Sequence, residues 1–208
     1  MHRTKISLTM DKIKLTKLGI LRDEISTAIF LYFKHCNWPS IHLLISAAHE
    51  ISDTLCREVG KGSLSEQLEK NIDNPKMRAK IFKLLRGSYT YLKHTSSNKD
   101  LCCDLETSHP EALIHITIYQ YHTLAGGRLP LDMALFRMWY AKKYPQVAVQ
   151  CDSRLAKHIP TIQAYDWGEH NKAEFYDGYM RLAQVIDPSL LNAFSDYKAR
   201  GKDVTPSV

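Results

Sequence analysis

Apolar residues in this chain recur at steps of three and four, and they alternate with polar ones for no more than a few positions anywhere. That period belongs to amphipathic helices, since strands need a period of two. It restricts the chain to an all-α fold. The chain contains no internal repeat and no Gly-rich phosphate loop. Its 208 residues can bury a sizeable core, and 44% hydrophobic with 24% charged residues is the composition of a globular chain.

The spacing predicts a bundle of four to five long helices with shorter C-terminal ones. Residues 1–15 read as a basic arm, with Arg3, Lys5, Lys12 and Lys14 against Asp11. A single helical domain is expected over 16–199, its core bundle at about 16–144 and its C-terminal helices at about 150–199. The residues at 200–208 read as a flexible tail. Thr16 suits the N-cap of a first helix reaching about Lys34. Its last turns, with Phe30, Leu31 and Phe33, are apolar almost all round, which predicts enclosure by other helices or a homodimer interface.

Asn37-Trp38-Pro39-Ser40 reads as punctuation before a second helix carrying Ile41 to Val59, stopped by Gly60 and Gly62. A short helix is expected around Leu64–Lys70. A third long helix, about Lys76–Lys93, would bury Met77, Ile81, Leu84, Leu85, Ser88 and Leu92. A loop follows over Thr95–Thr107. A fourth helix is expected from Ser108 and Pro110 to Leu124, closed by Gly126-Gly127, and a fifth over Leu129–Lys143. Short helical patterns occupy Ser153–His158, Lys172–Val185 and Pro188–Lys198.

The net charge of +6 is concentrated. No acidic residue occurs from Lys76 to Lys99, whereas Lys76, Arg78, Lys80, Lys83, Arg86, Lys93 and Lys99 all do. Cations supply phosphate affinity, and Tyr89 and Tyr91, interleaved at the helix end, have rings that can stack on unpaired bases. RNA or another polyanion is the partner this pattern predicts; the alternative is a solvated helix face.

On the second helix His42, Ser46, His49 and Asp53 fall at steps of four, three and four, a polar stripe beside the apolar face. Such a stripe could tune an imidazole or support a metal with help from His94 or His115. Residues seven apart lie two turns from one another, so His42 and His49 alone cannot chelate one ion. Glu111, His115 and His122 share a face of the fourth helix, without the Glu-x-x-His pairs of di-iron bundles. The expectation is therefore no metal and no cofactor, with histidines completing a polar core network. Five cysteines, an odd number with no CxxC, predict reduced thiols. The longest apolar run, Ala28 to Phe33, is too short to cross a membrane, and a cytoplasmic location is the expectation.

Three stretches carry a resemblance. Leu15-Thr16-Lys17-Leu18 with Thr27-Ala28-Ile29, Ser40-Ile41-His42-Leu43-Leu44 with Ala47-Ala48, and Tyr91-Leu92-Lys93-His94 resemble a family of bacterial all-helical proteins without an assigned function, over roughly residues 15–125. The third stretch is in turn similar to the Arg-Asn-x3-His signature of HEPN domains, helical bundles that often act as metal-independent RNases. The resemblance implies that His94 transfers protons while an arginine holds phosphate. Tyr89 and Thr90 stand at the arginine and asparagine positions, and Arg86 lies one turn earlier. Two principal readings follow: a binding module that uses the basic third helix, and an RNase using His94, Arg86 and Lys93. A third is a metal-supported site on His42, His49 and Asp53.

Overall fold

The computed structural model describes residues 14–34, 37–93, 104–147, 159–164 and 172–186. The helices are α1 (Lys17–Phe33), α2 (Trp38–Glu58), α3 (Leu64–Asn71), α4 (Pro75–Lys93), α5 (Ser108–Leu124), α6 (Leu131–Lys143), α7 (Ile159–Ala164) and α8 (Lys172–Ile186). No strand occurs among the described residues. The fold is all-α.

Helix boundaries follow local chemistry. The Thr16 side chain accepts from the Gly19 amide (3.0 Å) and opens α1. Ser63 and Glu66 form a reciprocal capping box on α3. The segment read as punctuation before α2 is part of its first turn: Asn37 Oδ1 accepts from the Ser40 amide (3.1 Å), and Pro39 sits where a missing N–H costs nothing. Past α5, Gly126 and Gly127 take φ of 66° and 88°, which a side chain would resist. The patterns at Ser153–His158 and Pro188–Lys198 lie outside the described residues, as do the arm at 1–13 and the tail.

Four helices enclose the core: α1, α2, α5 and α6. Lys17 reaches Glu58 at one end and Tyr32 meets Trp38 at the other, so α1 and α2 are antiparallel. Ser52 and Asp53 bond to Gln120 while His42 lies near His109, so α2 and α5 run parallel. Glu111 meets Lys143 and His115 meets Tyr140, which makes α5 and α6 antiparallel. Parallel neighbours require a crossover, and α3 with α4 supplies it.

The apolar end of α1 is covered within the chain on its Phe33 side. Phe33 is fully buried among Phe136, Trp139, Phe175 and Tyr176 of α6 and α8. Leu31 is half-buried, and Phe30 stays 46% exposed with its edge against Tyr176. Lys34 clamps Asp177 of α8 at 2.6 Å.

Candidate functional site

The basic helix is α4, and it divides into committed and uncommitted cations. Arg78 Nη1 donates to the Ile72 carbonyl (2.9 Å) and so caps the end of α3. Lys93 lies 3.9 Å from Glu50 Oε2 and 5.1 Å above the Tyr89 ring. Lys76, Lys80 and Lys83 are exposed at steps of four and three along one face, with no carboxylate partner among the described residues. Only the backbone of Arg86 is described, and His94 and Lys99 lie outside the described residues.

Two expectations for this helix are corrected. Tyr89 is buried at 7% exposure, its hydroxyl 3.4 Å from Glu50 Oε2 on α2, so its ring cannot serve as a stacking platform. Met77, expected in the core, is 49% exposed; the side-chain contacts of α4 with α2 among the described residues are those of Tyr89 and Lys93 with Glu50, at the other end of the helix. Tyr91 is half-buried. Stripped of Tyr89 and Lys93, the exposed face offers ammonium groups and little aromatic surface.

The polar stripe of α2 lies inside the bundle, facing α5. His42, Ser46, His49 and Asp53 are all at most 2% exposed. Asp53 accepts from the Ser65 hydroxyl (2.6 Å), the Ser65 amide (3.3 Å) and Gln120 Nε2 (3.3 Å), joining α2 to α3 and α5. Burial alone would raise the Asp53 carboxyl; the Ser65 bonds and nearby His49 outweigh it and hold the group below the usual carboxylate range. Ser52 Oγ donates to Gln120 Oε1 (2.6 Å) beside it.

His42 is different. Neither of its ring nitrogens has a hydrogen-bond partner, and the Ser46 hydroxyl has none either. Burial, with His109 nearby, pushes the His42 imidazole down to about 4, so it is neutral at pH 7. His115 faces α6 instead, its ring stacked on Tyr140 at 4.2 Å. Among the described residues no group of three or more His, Cys, Asp or Glu is placed to hold a metal ion. The stripe acts as the polar seam between α2 and α5.

Sequence reasoning placed Glu111 on a histidine face and missed its role. Its buried carboxylate accepts from the Tyr32 hydroxyl (2.8 Å), from Lys143 at both oxygens (2.9 and 2.8 Å) and from the Tyr144 hydroxyl (3.0 Å). Trp139 Nε1 and Lys172 Nζ each donate to the Tyr32 oxygen at 3.1 Å. The six residues come from α1, α5, α6, α8 and the residue after α6, so no local spacing announces them.

No family model, no curated protein and no solved structure matches this chain. Among the described residues no helix is long and apolar enough to cross a membrane.

Proposed function

We propose that this chain is a binding module that contacts a phosphate-bearing polymer, RNA in the first instance, through the exposed row Lys76, Lys80 and Lys83 of α4. The observation that carries the reading is this row of three ammonium groups, without a carboxylate partner among the described residues, on a helix without a single carboxylate. Ammonium groups at such spacing contact backbone phosphates, which position a strand without reading its bases. With Tyr89 buried, stacking contributes little, so binding is indifferent to sequence. The buried thiol of Cys56, pushed up to about 11 by burial and nearby carboxylates, is inert packing, which suits a reducing cytosol.

The RNase reading draws less support. Lys93, assigned to the phosphate, is engaged with Glu50 and Tyr89. Binding of a fluorescent single-stranded RNA, measured against salt, tests the proposal. Three phosphate contacts predict that log K falls with log salt at a slope of about −2, and a seven-cation cluster would give about −5. The double variant Lys80→Glu/Lys83→Glu is expected to weaken binding by about tenfold or more. An unchanged affinity in that variant removes the reading. RNA cleavage by the wild type that disappears in His94→Ala replaces it with the nuclease.

A further inference from the structure

Where the ends of α1 and α6 meet the start of α8, the molecule carries a cleft of about 240 Å³ lined, among the described residues, by Trp139, Lys142, Lys143 and Lys172. Three of these four are cations. Lysines in the last turn of α6 have an ordinary explanation, because the negative end of the helix dipole favours them there. Lys172 does not. It is the first residue of α8, at the positive end of that helix, where a cation is disfavoured. It is also half-buried, with the Lys143 charge nearby.

What holds Lys172 there is aromatic and polar. Its ammonium sits 4.2 Å from the Tyr32 ring centroid and 5.9 Å from that of Trp139, and it donates to the Tyr32 oxygen. Among the described residues the carboxylate acting on it is Glu111, already saturated by Tyr32, Lys143 and Tyr144. An ammonium has three protons. Lys143 places two on Glu111 and meets Tyr144 with the third, whereas Lys172 places one on Tyr32 and, among the described residues, keeps two for something else in the cleft. Burial disfavours the charged form of Lys172, and an arriving anion would relieve that cost.

We propose that this cleft is a binding site for a small oxyanion: a phosphate group, free or as a monoester on a body of few atoms. Lys172 donates to its oxygens, Lys142 and Lys143 line the cleft with positive charge, the start of α8 adds its positive end, and Trp139 covers the body. The volume sets the size, since it lies below the roughly 300–1,000 Å³ of pockets for drug-sized ligands. This site is built on α6 and α8, whereas the polymer-binding row lies on α4, so either can fail without the other.

Calorimetric titration of the full chain with inorganic phosphate in a low-salt buffer tests it. Saturable binding of one phosphate per chain is expected, weakened about tenfold or more in Lys172→Gln and kept within a few-fold in Lys172→Arg. Phosphate binding in Lys80→Glu/Lys83→Glu should equal that of the wild type. If circular dichroism shows Lys172→Gln to be unfolded, Lys142→Gln at the cleft takes its place, with a several-fold loss expected. Absence of saturation at millimolar phosphate, unchanged affinity in the folded cleft variant, or loss of binding in the α4 variant instead would each overturn the site.

Discussion

Two buried polar residues bear opposite relations to stability. Glu111 collects four donated hydrogen bonds, and removing it leaves the Tyr32 hydroxyl and the Lys143 ammonium without their acceptor. Glu111→Ala is expected to cost about 3 kcal/mol in urea unfolding, and Glu111→Gln, which keeps one acceptor oxygen, about half that. His42 returns no hydrogen bond for its burial. Its folded imidazole is held down to about 4 against 6.5 for a free one, so the unfolded chain takes up the proton first as pH falls. The contribution is complete above pH 6.5 and is lost as pH drops through 4, amounting to about 3 kcal/mol over that window. His42→Leu keeps the volume and removes both unpaired nitrogens. Urea midpoints at pH 7 should therefore match or exceed the wild type, and the decline between pH 6.5 and 4 should flatten. A loss of more than about 2 kcal/mol at pH 7 would mean that His42 has an unseen partner.

At the scale of elements, α3 depends on its first residues. Ser63 is fully buried and closes the capping box with Glu66, while Ser65 within the first turn ties the helix to Asp53. Ser63→Ala is expected to cost about 1 kcal/mol and to raise amide exchange within 64–71 above that of α1. These helices were legible because the 3.6-residue period and the caps are local: Thr16 opens α1 and Gly126-Gly127 close α5 where the pattern puts them. What touches each helix was not. The pattern of α4 offered Met77 to the core, yet Met77 is exposed and Tyr89 is buried, and its contact with Glu50 on α2 is not written in the period of α4. The stripe on α2 reads as a flank of the apolar face until α5 is set against it. The Glu111 network joins positions as far apart as Tyr32 and Lys172. No periodicity connects residues so far apart.

The order of helices around the bundle sets a requirement on the whole chain. Because α2 and α5 lie side by side and parallel, the chain leaving α2 must return along its length before α5 can start. A 21-residue helix is about 32 Å long at 1.5 Å per residue, so the return spans about 25 Å or more. The natural return passes through α3 and α4, which pack on the outside of α2 through Ser65 and Tyr89. Four Gly/Ser residues in place of 60–107 reach at most about 14 Å and cannot make the connection. Twenty such residues have a root-mean-square span of about 25 Å and can. The expected outcome is that the four-residue chain shows no cooperative urea transition. The twenty-residue chain should unfold cooperatively at a lower midpoint, having lost the contacts of Asp53 with Ser65 and of Glu50 with Tyr89. Native-like unfolding of the short-linked chain would mean that α2 and α5 do not run parallel, and the described order of the bundle would be wrong.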